Sequence, residues 1–229
     1  MDALPFRTVA FDLDGTLADT APDIAGALNR VLGTFGRAPI SLERVRRMIG
    51  DGAKALIGRA LAATGGCSDD LIEQAYPLYL DFYGGDVCNG TVPYQGAEGA
   101  MDALASAGAS LALCTNKPER LTALLLAALG WEGRFASVVA GDMLPTRKPD
   151  PLMLREAIAR AGGGPAVFVG DTIVDSETAV GAGVPFVGVR FGYSDRPAEA
   201  LGADLVIGAF SELPAALDQL AARNAFTSR

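Results

Sequence analysis

Short apolar runs recur along the chain with longer stretches of helical period between them. The runs Thr8–Phe11, Ser110–Cys114, Ser137–Ala140, Val167–Val169, Phe186–Val189 and Leu205–Ile207 lack the in-out alternation of a half-exposed sheet, which is the pattern of parallel strands buried on both faces. The intervening stretches, Ala97–Ala107, Pro118–Leu129, Pro151–Ala161 and Asp175–Ala182, predict helices, several of them opened by Pro or Asp and closed near Gly. Strand and helix in alternation predict an α/β chain built on a doubly wound, mainly parallel sheet.

One connection is out of scale. About 95 residues separate the first strand from the second, far beyond an ordinary crossover. The pattern there is helical, over Asp23–Phe35, Leu42–Ile49, Ala53–Thr64 and Asp69–Tyr83, with Ser41 and Ser68 placed as N-caps. This predicts a small α-helical cap domain over residues 19–91, inserted into a catalytic core of residues 1–18 plus 92–229. Ala18–Pro22 and the Gly-rich Gly84–Thr91 are the expected linkers, and Pro77 is expected to kink or end the last cap helix.

The bulk numbers narrow the function. Half of the 229 residues are hydrophobic, yet no run approaches the roughly 18 apolar residues of a membrane span. The N-terminal MDALPFRTVAFDLDG has neither the basic nor the apolar region of a secretory leader, so the expectation is cytoplasmic. A net charge of −8 disfavours nucleic acid and anionic lipid as partners. Cys67, Cys88 and Cys114, an odd number without CxxC spacing, read as buried hydrophobes rather than disulfides or a zinc site. The chain contains no histidine, which removes Ser-His-Asp triads, Cys-His pairs and His-ligated metals together.

Acid–base and nucleophilic work must therefore fall to other groups, and Phe11-Asp12-Leu13-Asp14-Gly15-Thr16 supplies them. Two carboxylates alternate just past the end of the first buried strand, at the edge where parallel sheets bind ligands. Burying both unpaired would be costly, and a cation beside them would relieve the repulsion. Thr115-Asn116 follows the second strand, Lys148-Pro149 lies beyond the third, and Gly170-Asp171-Thr172 follows the fourth. Each set alone could be turn chemistry; four converging on one sheet edge describe a site.

These motifs, DxDGT at 12–16, a Thr after strand two, a lone Lys and GDxxxD at 170–175, resemble the haloacid dehalogenase superfamily of phosphohydrolases, in matching order and across essentially the whole chain. The resemblance implies a Rossmann-like core and an aspartyl-phosphate mechanism. Asp12 would be the nucleophile, Asp14 the acid that protonates the leaving oxygen and then activates water, and Lys148 with Mg²⁺ the positive charge that in-line attack on a phosphate dianion needs. It also implies Mg²⁺ held by the Asp12 side chain, the Asp14 carbonyl and Asp171, with Asp175 in support and phosphate held by Thr115, Asn116 and Lys148. A second Asp at position 14 suits ester hydrolysis rather than dehalogenation. A helical cap implies a small, diffusible phosphorylated substrate.

Finer likeness lies in FDLDGTLADTAPDI, IGDGAKALIGRAL, CTNKPERL and GVRFGYSDRP, which resemble bacterial phosphoglycolate phosphatases. The substrate so implied carries a carboxylate besides its phosphate, so the site needs a donor set or a cation away from Lys148. Arg44, Arg46, Arg47, Lys54 and Arg59 of the cap are the candidates. Sugar-phosphate phosphatases, mutases of the β-phosphoglucomutase type and phosphonoacetaldehyde hydrolases, which form a Schiff base through a cap lysine such as Lys54, share parts of the pattern. A receiver-like signalling domain is the non-enzyme alternative. Whether the chain is a monomer or a homodimer stays open at this stage.

Overall fold

The computed structural model describes residues 5–227; Met1 to Leu4, the start of the stretch read above for a leader, lie outside the described residues. Six strands form one parallel sheet: β1 (Thr8–Phe11), β4 (Ser110–Cys114), β5 (Ser137–Val139), β6 (Ala166–Gly170), β7 (Phe186–Val189) and β8 (Leu205–Ile207). Their order across the sheet is β5-β4-β1-β6-β7-β8. β1 is central, with Thr8 to Phe11 in register with Ser110 to Leu113 on one side and with Ala166 to Val169 on the other. From β1 the chain winds one way to β4 and β5 and the other way to β6, β7 and β8, so the switch point for ligand binding lies at the carboxyl end of β1.

The strands show no hydropathic alternation because both faces are covered. Val9, Phe11, Leu111, Leu113, Val167 and Val169 point into one core, while Ala10, Ala112, Cys114 and Phe168 point into the other. The core helices are α5 (Ala97–Ser106), α6 (Glu119–Ala128), α7 (Leu152–Arg160), α8 (Ile173–Ala182) and α9 (Leu213–Thr227). α7 and α8 close the second core with Met153, Leu154, Ala157 and Ala179. α8 starts two residues earlier than its sequence pattern suggests, because Thr172 is its N-cap and Asp175 completes a capping box.

The insertion is helical as expected: α1 (Ala21–Thr34), α2 (Leu42–Arg46), α3 (Ala53–Gly65) and α4 (Asp69–Gly85), with Ser41 and Ser68 both accepting N-cap hydrogen bonds. α1 packs along α4; its Leu28, Val31 and Leu32 are buried in the same apolar core, and that core is continuous with one sheet face. Several local expectations need correction. α2 stops at Arg46 rather than Ile49. α4 continues through Pro77 rather than ending there, and the position is exposed, so water can satisfy the carbonyl that the missing N–H abandons. Gly84 and Gly85 belong to α4, not to a linker. Of the cysteines, only Cys114 is buried, where burial pushes its thiol up to about 12; Cys88 is half-buried and Cys67 exposed, so the reading as buried hydrophobes holds for one of three.

The two crossings to the insertion are not free linkers. β2 (Ala18–Asp19) and β3 (Val92–Pro93) pair antiparallel and tie the outgoing and returning chains together. Beside them, buried Asp23 accepts hydrogen bonds from the backbone N–H of Gly90 at 2.8 Å and of Thr91 at 2.8 Å, and from the Thr91 hydroxyl at 2.6 Å. One carboxylate at the start of α1 thus satisfies the whole returning turn. Asp23→Ala leaves those donors unmet and is expected to lower stability by about 2–3 kcal/mol. Denaturant unfolding of the variant checks this, and an unchanged midpoint would mean that the clamp contributes nothing.

Candidate active site

The carboxyl end of β1 carries Asp12 and Asp14, and the turn behind them depends on Gly15. Its φ of +87° is in the left-handed region, and an ideal Cβ there would stand 2.5 Å from Asp171 Oδ2. Thr16, next in the turn, donates from its hydroxyl to Asp171 Oδ1 at 2.9 Å. The DxDGT run therefore does two things locally: it presents two carboxylates at the sheet edge and locks the carboxylate that follows β6.

Asp12, Asp171 and Asp175 offer carboxylate oxygens within 4.8 Å of one another, all buried. Lys148 threads into this cluster at 2% exposure, with Nζ 2.8 Å from Asp12 Oδ1 and 2.7 Å from Asp175 Oδ1. The Asp12 contact is an ion pair outside good hydrogen-bond alignment, so Asp12 Oδ1 has the Lys148 ammonium beside it and no other donor. Three carboxylates against one ammonium leave the cluster short of positive charge. Burial pushes Asp12 up to about 7 despite the pull of Lys148, with Asp175 adding to the rise. Asp171 is raised well above the ordinary carboxylate range, by burial first and then by Asp175 and Asp12. Burial opposes the charge on Lys148, but Asp12 and Asp175 outweigh it and hold the ammonium above the ordinary lysine value.

The three acids are not equivalent. Asp175 is saturated, since Oδ1 takes Lys148 and Oδ2 accepts from the Asp171 and Thr172 backbone N–H groups and from the Thr172 hydroxyl. Asp171 accepts only from Thr16 on one oxygen and from the Tyr193 N–H, at 2.7 Å, on the other. Asp12 keeps the orphaned oxygen. A hard divalent cation fits this donor set, with Asp12 and Asp171 having lone pairs to give and Asp175 holding the frame.

On the other side of Asp12 lies a cleft of about 40 Å³, lined by Asp12, Asp14, Thr115, Asn116, Lys117 and Tyr79 with apolar residues from both the sheet edge and the insertion. It is far below the few hundred Å³ usual for larger organic ligands. Thr115 Oγ1 accepts from the Lys117 N–H at 3.2 Å, which leaves its own hydroxyl proton to donate. The Asn116 side chain is spoken for: it bonds the Lys148 backbone at N and O and reaches Gly50 of the insertion at 2.9 Å. It holds Lys148 and the insertion in place, and any donor it offers to a ligand is its backbone N–H.

All seven residues singled out at the sheet edge, Asp12, Asp14, Thr115, Asn116, Lys148, Asp171 and Asp175, come together. The five candidate cations of the insertion do not join them. Arg46 pairs with Asp19, Arg47 with Glu43, Lys54 with Glu73 and Arg59 with Asp51, while Arg44 is exposed; none lines the cleft. Two residues that sequence reasoning passed over bond carboxylates of the site. Lys117, one step beyond Thr115-Asn116, places Nζ 2.9 Å from Asp14 Oδ1 and 2.6 Å from the Tyr83 hydroxyl. Tyr193 sends its hydroxyl to Asp19 at 2.7 Å and accepts there from the N–H groups of Thr20 and Ala21, joining Asp171 to the root of the insertion. Both sit in stretches, CTNKPERL and GVRFGYSDRP, whose likeness to relatives was visible, but a single Lys or Tyr carries no chemical signature.

Residues 6–183 match the family model of haloacid dehalogenase-like hydrolases. The chain belongs to that family. Its relatives include phosphoglycolate phosphatases of Caulobacter vibrioides, 43% identical over 91% of this chain and 90% of the relative, and of Agrobacterium fabrum, 38% identical over 98% and 99%. Among solved structures, a predicted phosphoglycolate phosphatase from Haemophilus somnus superposes with a TM-score of 0.86 at 29% identity, covering 91% of this chain and 96% of that one. CbbY of Rhodobacter sphaeroides in complex with phosphate superposes with a TM-score of 0.79 at 26% identity, covering 91% and 96%. Mg²⁺ is general in the family, and the buried acidic trio is compatible with it. No helix among the described residues is long and apolar enough to cross a membrane.

The charge deficit around Lys148 has a measurable consequence. Asp12 has its carboxyl raised from 3.8 to about 7, so its ionisation costs stability that is absent below the lower value, builds as pH rises between the two and is fully felt above. In chelator at pH 8, Asp12→Asn is therefore expected to melt above the wild type, by ~2–4 °C for each kcal/mol relieved. The gap should narrow at pH 5, and added Mg²⁺ should stabilise the wild type more than the variant. A variant that melts below the wild type in chelator at pH 8 would show that the cluster is not short of positive charge.

Proposed function

We infer that the substrate of this phosphatase is 2-phosphoglycolate or a phosphate monoester of the same small, doubly anionic kind, hydrolysed through an aspartyl phosphate on Asp12. The observation that carries the reading is the buried Asp12 carboxylate, paired with Lys148 at 2.8 Å and lining a cleft that Thr115 and Asp14 also line. The named relatives, at 38–43% identity over most of their length, supply the substrate.

The residues divide the work as follows. Lys148 neutralises Asp12 and the phosphoryl oxygens that approach it, and Asp175 keeps Lys148 extended. The Thr115 hydroxyl and the backbone N–H groups around Leu13 and Asn116 receive the remaining phosphoryl oxygens without adding charge. Asp14, held by the Thr20 hydroxyl at 2.7 Å and by Lys117, protonates the ester oxygen as Asp12 bonds to phosphorus, then draws a proton from the water that breaks the acyl phosphate. Mg²⁺ would be held by Asp12, Asp171 and the Asp14 carbonyl, and supplies the further positive charge that in-line transfer requires.

Residues 19–91 act as a cap over a core of residues 1–18 and 92–229. The bonds from Asn116 to Gly50, from Lys117 to Tyr83 and from Arg120 to Asp81 hold it shut over the cleft. They are few and polar, so they can break and reform with each turnover while water is excluded during the chemistry. Lys54 engages Glu73 outside the cleft, which speaks against Schiff-base chemistry there.

Phosphate release from 2-phosphoglycolate, sugar phosphates, nucleotides, pyrophosphate and phosphonoacetaldehyde, with and without Mg²⁺, tests this. 2-Phosphoglycolate should be preferred and Mg²⁺ required. Asp12→Asn should lose activity by on the order of 10⁴-fold or more, and Asp14→Asn by roughly 10²- to 10⁴-fold. Preference for another ester with the Asp12 dependence intact would remove the substrate and keep the mechanism; an active Asp12→Asn would remove the mechanism.

A further inference from the structure

A substrate with a phosphate at one end and a carboxylate at the other needs a second cation, and the insertion does not supply it, since its arginines and Lys54 are exposed or engaged elsewhere. Lys148 is committed to Asp12 and Asp175. Among the described residues, the one cationic side chain lining the cleft is Lys117, on the loop between β4 and α6 and only 5% exposed. Apolar Ile24, Ile49, Leu56 and Leu121 line the same cleft, so a charge there is poorly screened and its interactions are strong.

The ammonium of Lys117 has three N–H donors. Asp14 takes one, with Oδ1 at 2.9 Å and Oδ2 at 3.3 Å, and the Tyr83 hydroxyl takes another at 2.6 Å, with the Tyr83 ring centroid 4.3 Å away. One donor remains, and one of the two engaged partners is itself a carboxylate, the chemistry that an incoming carboxylate can replace. The Lys117 N–H bonds Thr115 Oγ1 at 3.2 Å, so one tight turn carries both residues, and both line the same cleft of about 40 Å³. A cleft of that size suits a short chain between the two anionic ends.

We propose that Lys117 binds the substrate carboxylate, giving up part of its bond to Asp14 as it does so, and thereby sets the preference for a short phosphate ester with a second negative charge. This rests on the phosphatase reading above and deepens it. Because Tyr83 belongs to α4 and Asp14 to the sheet edge, the exchange takes place where the insertion meets the core. The substrate carboxylate then takes the place of Asp14 as the counter-charge of Lys117, and Tyr83 keeps the ammonium from following its new partner out of the cleft.

The test compares kcat/KM for 2-phosphoglycolate with that for ethyl phosphate, which has the same two carbons and no carboxylate, in the wild type and in Lys117→Met. The ratio of the two values is expected to fall at least tenfold in the variant, chiefly through KM for 2-phosphoglycolate. Equal losses on both esters would overturn the proposal, because a lysine that serves only Asp14 affects every ester alike. A preference that survives in the variant would also overturn it while leaving the substrate reading intact. A wild type without preference for 2-phosphoglycolate over ethyl phosphate would overturn both. Thermal melting shows whether the variant is folded, and Lys117→Gln, which keeps polarity and most of the length, reads the same ratio if the methionine variant is not.

Discussion

The structure depends on one buried ammonium among three buried carboxylates. Lys148 is nearly inaccessible, and two of its neighbours, Asp12 and Asp175, are close enough to bond to it. Such a group is not there for stability, since apolar residues of the same volume would fold as well or better. What it provides is net negative charge held rigidly at a sheet edge, which a dication can balance. The parallel sheet makes this affordable: β1, β4 and β6 end side by side, so three loops meet at one point without any of them having to cross the core.

Rigidity comes from shared use of the same atoms. Asp175 caps α8, accepts from the backbone that carries Asp171, and fixes Lys148. Asn116 fastens the Lys148 backbone from the β4 side and the insertion at Gly50. Every strand loop is therefore bonded to another strand loop, and a shift in one is resisted by all. This is the arrangement expected where position has to be held within fractions of an ångström against strong local repulsion.

Much of this was legible beforehand, and the reason is physical. Continuous apolar runs fit strands covered on both sides, and acids at the ends of such runs have few uses other than binding, so Asp12, Asp14, Asp171 and the parallel, doubly wound sheet were within reach of the sequence, though the order of its strands was not. The insertion was visible from loop length alone, and its N-caps at Ser41 and Ser68 from local chemistry. What escaped depends on distance in three dimensions. The β2–β3 pair is two residues long on each side and has no pattern to read. Whether a lysine faces water or a cleft is not encoded in its neighbours, so the search for a second cation went to the arginine-rich insertion, while the residue that reached the cleft was Lys117, adjacent to a motif already in hand.

The same limit explains Tyr193. Its backbone N–H holds Asp171 and its hydroxyl holds Asp19, Thr20 and Ala21, where the chain leaves the sheet for the insertion. Asp19 in turn pairs with Arg46 of α2 at 2.7 Å. Tyr193 thus bonds both the acidic cluster and the root of the insertion. The insertion is anchored to the site at two places that both end on a functional carboxylate, Asp171 through Tyr193 and Asp14 through Lys117. Any movement of the insertion relative to the sheet must pull on those two acids, so the charge that binds the phosphate and the geometry that closes over it are mechanically the same system.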